Sequence, residues 1–147
     1  SLPFANEKEV LKNLKKALLM VSGKAAQTFG PKLDHEQEIL MNIADMAIEI
    51  YIAESAILRA EKLMGMRGEA AVKQQVNMAK LYLYRAVDIV NMSGKEALAS
   101  FVTGDEQKVM LMGMKRFTKL NELPNVKVLR REVADTIIAE NKYAFEF

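Results

Sequence analysis

Residues 34–65 read DHEQEILMNIADMAIEIYIAESAILRAEKLMG and contain no internal proline or glycine. Apolar residues recur through them at steps of three and four, which is the period of one face of an α-helix. One such row contains Ile39, Ile43, Ile50 and Ile57, and further apolar residues fill the neighbouring row. The pattern predicts a long helix whose apolar arc is wider than a surface helix needs. We therefore expect this helix to contact other elements on two sides.

Capping signals mark both ends of this helix. Asp34 is a suitable N-cap, and Gln37, three residues later, completes a capping-box pattern. Arg59 and Lys62 lie near the C-terminus, where the helix dipole favours cations. Gly65 can adopt the left-handed conformation that ends a helix.

The composition is typical of a single helical domain. The 147 residues include no cysteine and no tryptophan, and they carry a net charge of +2. The lack of cysteine excludes disulfides, thiolate metal sites and cysteine nucleophiles. The balanced charge argues against a nucleic-acid interface, and no run of ~20 apolar residues predicts a membrane span. The chain shows no signal peptide. Because it begins at Ser1 rather than at a methionine, we expect it to be a piece of a longer protein.

The remaining chain predicts four further helices. The first lies at about 6–29 and is capped by Asn6. The next starts near Glu69, kinks or ends at Gly94, and continues as helix over 95–102. The last two lie at about 105–119 and about 125–141, with Pro124 at the first helical position of the latter.

These helices predict an all-α fold. We expect an up-and-down four-helix bundle with an additional C-terminal helix and tail laid across it. Residues 1–5 are expected to be a linker, and 6–147 a single helical bundle domain. The tail at 143–147 reads YAFEF and is too apolar to remain free in water, so we expect it to dock on the body or on a second subunit.

The carboxylates of the long helix invite comparison with a ferritin-like di-iron site. That site needs two Glu-x-x-His motifs, whereas His35 is the only histidine in the chain. We interpret His35 as a solvated surface residue.

Asp45 and Glu49 are one turn apart and repel, so we expect one of them to have a cationic partner on another helix. Glu54 lies in an apolar row, where a buried ion pair is the best explanation.

Three other patterns resemble functional motifs. Ser-Gly-Lys occurs at 22–24 and 93–95, but neither copy has the first glycine, the final hydroxyl or the strand of a phosphate loop, so we interpret both as close-packing or kink positions. Met110, Met112 and Met114 are spaced so as to splay around a helix, which favours core packing over copper ligation. A basic cluster could meet anionic lipid or an acyl-CoA phosphate, but a solvated helix face is the favoured interpretation; its residues are Lys115, Arg116, Lys119, Lys127, Arg130 and Arg131. The residues alone therefore identify no catalytic, cofactor-binding or metal-binding residue.

A family resemblance lies in residues 36–51, which follow the pattern EQxILxxIADxAIEIY. This pattern is similar to the EQxLLxxLADxAIDLY helix of the very-long-chain type of acyl-CoA dehydrogenase, where the helix belongs to a domain that follows the catalytic core. The resemblance extends more weakly over most of the chain, including the helix before the motif and the Phe-terminated end.

The resemblance implies a function for the parent protein and a limited one for this chain. The family catalyses FAD-dependent α,β-dehydrogenation of fatty acyl-CoA thioesters, with a glutamate base and a flavin in the core that precedes this domain. No residue here matches those positions, so no catalytic residue is assigned, and FAD is expected in the parent protein only. The expected partners are the catalytic core of the same polypeptide and a second subunit in a homodimer. A peripheral membrane contact of the parent is left open, and the expected location is the cytoplasm if the source is bacterial.

The principal alternative is a free-standing helical protein-interaction bundle, suggested by the apolar tail and the basic residues. A natural start codon at the first residue of this chain would favour it. A ferritin-like enzyme ranks third.

Overall fold

The computed structural model describes residues 3–120 and 124–140. The described chain is helical. Its five α-helices are α1 (Ala5–Phe29), α2 (Gln37–Arg67), α3 (Lys73–Phe101), α4 (Gly104–Phe117) and α5 (Val126–Glu140), with short 3-10 helices at Gly30–His35 and Ala70–Val72.

Contacts between side chains show that α1, α2, α3 and α4 alternate in direction. Lys8 pairs with Glu61 and Lys15 with Glu54, so α1 and α2 are antiparallel.

α3 is antiparallel to both α2 and α4. Tyr82 donates to Glu49, while Gly94, later in α3, lies near Met46, earlier in α2. Likewise Thr118, just after α4, donates to Asn91, while Met114, earlier in α4, packs on Gly94. The predicted up-and-down four-helix bundle is therefore confirmed.

α5 lies along the first half of α3. Asn77 Nδ2 donates to Glu132 Oε2 at 2.7 Å, and Val126 and Arg130 share a groove with Arg85 of α3. These contacts place α5 antiparallel to α3, where we had expected a helix laid across the bundle. The tail at 143–147, which we expected to dock, lies outside the described residues.

The core is built around one face of α2. Its buried residues include Ile39, Met46, Ile50 and Ile57, all on the expected apolar row or beside it. This face packs mainly on α3, and the contact between α2 and α3 is the largest helix–helix contact of the fold. Small residues on the same face, such as Ala53, let the helices approach closely. The inner face of α2 therefore positions α1 and α3, which in turn carry α4 and α5.

The predicted caps at both ends of α2 are wrong. Asp34 lies in the 3-10 helix, and Gln37 Nε2 donates to its backbone oxygen at 2.7 Å, while Glu36 precedes the helix without a side-chain cap. α2 continues through Gly65 to Gly68, whose φ of 83° and N–H bond to the Met64 oxygen end it. The 3-10 helix before α2 and the extra residues after Gly65 form hydrogen bonds with the backbone groups at the two ends of α2. The spacing of residues in the sequence does not predict either feature.

The other predicted helix starts are shifted as well. α1 begins before Asn6, because Phe4 adopts a left-handed backbone conformation and its ring is buried in the core. Part of the segment expected to be a linker therefore belongs to the packed structure. Pro124 lies two residues before α5, whose first turn is capped by Asn125 Oδ1, which accepts from Val128 N–H at 3.1 Å.

The two Ser-Gly-Lys glycines differ in their surroundings. α3 runs through Gly94 without ending, and Gly94 packs under Met114 of α4. A Cβ at Gly94 would overlap the Met114 thioether and lie 3.3 Å from Met46 Cε. A Cβ at Gly23 would meet nothing within 4 Å. Close packing is thus confirmed for Gly94 and wrong for Gly23.

An aspartate at Ile50 should unfold the protein. Ile50 is 4% exposed, and an unpaired buried carboxylate costs several kcal/mol, which is about the whole stability of a domain. We expect loss of the helical circular-dichroism signal and of cooperative melting. Leu19→Asp is the control, because Leu19 is exposed on α1. A fully helical, cooperatively melting Ile50→Asp protein would show that the wrong face has been identified as buried.

Alanine at the two glycines should have opposite effects. Gly23→Ala should raise the free energy of unfolding by about 0.5–1 kcal/mol through helix propensity. Gly94→Ala should lower the free energy of unfolding by about 1–2 kcal/mol, because the cost of overpacking a full core exceeds the gain in helix propensity. Adding Met114→Leu should recover part of the loss. Urea unfolding measures all three, and equal stabilisation by both alanines would contradict the close packing.

Candidate functional site

Glu54 is paired as expected but is not buried. Lys15 of α1 contacts its carboxylate, and about a third of the Glu54 side chain is accessible. The predicted buried ion pair is therefore wrong in its burial, because α1 covers only one edge of Glu54. An ion pair this accessible contributes at most about 1 kcal/mol. It aligns two helices and provides no isolated carboxylate for acid–base chemistry.

Glu49 has a phenol as its partner, whereas the sequence predicts a cation beside either Asp45 or Glu49. Tyr82 Oη donates to Glu49 Oε2 at 2.8 Å. Burial raises the pKa of the Tyr82 phenol above its usual value, and the hydrogen bond and negative charge of Glu49 act in the same direction. Tyr82 therefore remains a neutral donor at physiological pH and holds α2 against α3. The two residues are 33 positions apart, so no local pattern signalled the pair.

The other acidic residues do not converge. Glu38 and Asp45 are exposed on α2. Across residues 3–120 and 124–140, no group of three or more His, Asp or Glu side chains is arranged to hold a metal. The described residues thus give the ferritin-like hypothesis no support. His35 is exposed at the end of the first 3-10 helix, as expected.

The methionines and basic residues occupy the positions expected of them. Met114 is fully buried, Met110 is half-buried and Met112 is exposed, so the three sulfur atoms splay around α4. Lys115, Arg116 and the basic residues of α5 are exposed. Met114 therefore packs in the core, and the basic residues form a solvated face.

A groove between α1, α3 and α5 is lined by both apolar and polar side chains. It is lined by Val10, Leu83 and Leu129 together with Asn77 and Lys80. Asn77 is bonded to Glu132, and Lys80 Nζ lies 3.5 Å from Glu7 Oε1. The polar atoms are therefore engaged in holding helices together.

The outer face of α2 is the principal unpartnered surface of the described chain. Ile48 is 53% exposed and Tyr51 is 72% exposed, with Met41 and Leu58 also exposed nearby. The expected contacts of α2 with elements on two sides are confirmed, since it packs on α1 and on α3, and its outer face is left uncovered by the described residues. Exposed apolar surface of this extent marks an interaction site.

The class of protein follows from a family comparison. The family model "Acyl-CoA dehydrogenase, C-terminal domain" matches residues 13–116. The match covers α2 and α3 completely and extends to the end of α4. The chain therefore belongs to the acyl-CoA dehydrogenase C-terminal domain family.

Two bacterial relatives agree with this assignment. A probable acyl-CoA dehydrogenase of Bacillus subtilis is 35% identical over 93% of this chain. The crystal structure of an acyl-CoA dehydrogenase complexed with FAD from Bacillus anthracis matches 99% of this chain with a TM-score of 0.94 and 36% identity. The chain spans 23% and 25% of these proteins, so it corresponds to about a quarter of each.

None of the helices that the structure describes combines the length and the hydropathy needed for a membrane span.

The described helix starts do not fit a flavin pyrophosphate. A helix N-terminus favours phosphate unless carboxylates compete with it. α1 carries Glu7 in its first turn, α2 carries Glu38, and α4 carries Asp105 and Glu106. α3 and α5 are not preceded by a glycine-rich loop. No step of flavin chemistry is therefore derived from these residues.

Replacing Tyr82 by Phe should cost about 1 kcal/mol of unfolding free energy near pH 8, the usual worth of such a hydrogen bond. The folded-state pKa of Tyr82 is raised above 10.0. The stabilisation is therefore full at lower pH and is lost as pH rises through that folded-state pKa. The difference between the two proteins should shrink in strong alkali.

Urea unfolding at a series of pH values measures this difference, and Tyr51→Phe is the control because Tyr51 is exposed. A pH-independent difference would contradict the Glu49–Tyr82 hydrogen bond.

Proposed function

We propose that this chain is a non-catalytic packing and dimer-assembly module of an acyl-CoA dehydrogenase of the very-long-chain type. The observation that carries the proposal is the match of 99% of the chain to a quarter of the FAD-complexed enzyme from Bacillus anthracis. The EQxILxxIADxAIEIY pattern of α2 supports the very-long-chain type.

The reaction proposed for the parent protein is α,β-dehydrogenation of a fatty acyl-CoA thioester. Bound FAD would accept the β-hydride, and the base that removes the α-proton would lie in the catalytic core outside this chain. The acidic helix starts support a flavin site elsewhere in the polypeptide. The bacterial relatives support a cytoplasmic location.

The side-chain partnerships also favour a structural role. Glu54 and Glu61 pair with lysines of α1, Glu49 accepts from Tyr82, and Glu132 accepts from Asn77. A general base must instead be available to a substrate proton. These polar groups join helices, which is what a packing module requires.

The alternative of a free-standing interaction bundle draws on the exposed outer face of α2. The two functions differ in the coding sequence upstream of residue 1. An acyl-CoA dehydrogenase core encoded in frame supports the domain, whereas a start codon at that point supports the free-standing bundle.

Calorimetric titration of this chain with FAD, and then with a long-chain acyl-CoA, should show no binding. The full-length parent enzyme is the positive control and should bind both. Tight binding by the chain alone would contradict the non-catalytic role. The basic residues Lys127, Arg130 and Arg131 would then be replaced by Ala to locate the site.

A further inference from the structure

The start of α1, the end of α2 and the start of α3 enclose a groove at one end of the bundle. Its apolar lining includes Phe4, Met64 and Val76, and its volume is about 380 Å³. Glu69 and Lys73 line the same groove and are exposed, so they form its rim. Pockets of this size accept drug-sized ligands, and they therefore have room for aromatic side chains. We call this pocket the end groove.

The two rim charges of the end groove have no partner in the described chain. Within residues 3–120 and 124–140, neither Glu69 nor Lys73 forms an ion pair, with each other or with another side chain. Lys80, which also lines the groove, lies 3.5 Å from Glu7 Oε1. Because Glu69 precedes Lys73 by about one helical turn, a segment that carries a cation and then an anion would neutralise both.

The C-terminus of α5 lies beside the end groove. Glu132 of α5 accepts a hydrogen bond from Asn77, which also lines the groove. α5 continues for eight residues past Glu132, to Glu140, and Glu69 lies eight residues before Asn77 on the antiparallel α3. At the usual rise of an α-helix both distances are about 12 Å. The chain therefore leaves α5 at the level of Glu69.

The sequence after α5 has the length and the polarity that the end groove requires. Residues 141–147 read NKYAFEF and can span about 23 Å when extended. The α3 side of the groove, from Glu69 to Lys80, is about 17 Å long. Alternate residues of an extended segment share one side, so Tyr143 and the phenylalanines that follow it would present three rings together.

We propose that residues 141–147 fold back from the end of α5 and dock in the end groove. Their aromatic side chains pack against Phe4, Met64 and Val76, and the burial of these apolar surfaces stabilises the contact. In the described chain α5 packs on α3. The docked tail ties the far end of α5 to α1 and α2 as well, and it joins the last residues of the chain to the first.

The charges of the tail match those of the rim. Lys142 and Glu146 are four residues apart, as are Glu69 and Lys73. A tail that enters the groove from the end of α5 runs in the direction of α3, which places Lys142 beside Glu69 and Glu146 beside Lys73. Four extended residues span about 13 Å and four helical residues about 6 Å, a difference that the long side chains of lysine and glutamate bridge.

The opposite direction of the tail is disfavoured by the same charges. It would place Lys142 beside Lys73 and Glu146 beside Glu69, and like charges at facing positions are destabilising. The position at which α5 ends and the order of the charges therefore select the same direction.

Thiol labelling tests the proposal, because the chain contains no cysteine of its own. In Val76→Cys the thiol lies in the end groove, so a docked tail should protect it from N-ethylmaleimide. Deleting residues 143–147 should make labelling about tenfold faster, the change expected when a contact worth about 1.4 kcal/mol is lost. Ser55→Cys is the control, since Ser55 lines a different groove between α2 and α3, and its labelling rate should not change.

Charge reversal on the rim tests the proposed direction without shortening the chain. Glu69→Lys combined with Lys73→Glu leaves the net charge unchanged and should speed labelling of Val76→Cys severalfold, because both pairs become repulsive. Adding Lys142→Glu and Glu146→Lys should restore the protection. Circular dichroism checks that every variant is folded.

Equal labelling of the full-length and shortened Val76→Cys chains would overturn the proposal, as would a reversal that the tail changes fail to rescue. Faster labelling at Ser55→Cys alone would place the tail in the other groove and would overturn it too. Protection that weakens on dilution would identify a second copy as the occupant, which also contradicts the proposal. Failure of the proposed function is detected separately, by FAD or acyl-CoA binding to this chain.

Discussion

The packing of the inner face of α2 against α3 is the contact on which the rest of the structure depends. The two helices have 31 and 29 residues and make the largest contact of the fold. Ile50 and Ile57 are buried there beside Ala53 and Ala60, whose small side chains allow close approach. α1 and α4 then complete the bundle, and α5 extends it along α3. Without this contact, α2 and α3 would each expose a long apolar face to water.

The period of the apolar residues allowed much of this fold to be predicted from the sequence. The long helix, its buried row and the bundle class follow from steps of three and four, which depend only on helix geometry. The helix ends were predicted less well, since Asp34 and Gly65 were assigned as caps, whereas Glu36 and Gly68 occupy those positions. Helix ends depend on turns and neighbouring contacts that have no period.

Pairings between helices could not be predicted for a related reason. The Glu49–Tyr82 and Asn77–Glu132 hydrogen bonds join residues 33 and 55 positions apart. Each depends on the register of two packed helices, which local sequence does not encode. The prediction of a functional site from the sequence was limited to the chemistry that single residues show. Their chemistry predicted a bundle without catalytic residues, and the function came from a family resemblance that the family match then supported at the level of the acyl-CoA dehydrogenases.

The central claim is that the inner face of α2 holds the bundle together. Native-state hydrogen exchange tests it most directly, because amides in the most tightly packed part of a protein exchange only on global unfolding. The account predicts that the amides of Ile50 and Ile57 in α2 and of Ala86 in α3, which are buried, exchange most slowly, at the rate set by global unfolding. Faster exchange there than in α4 or α5 would contradict the account.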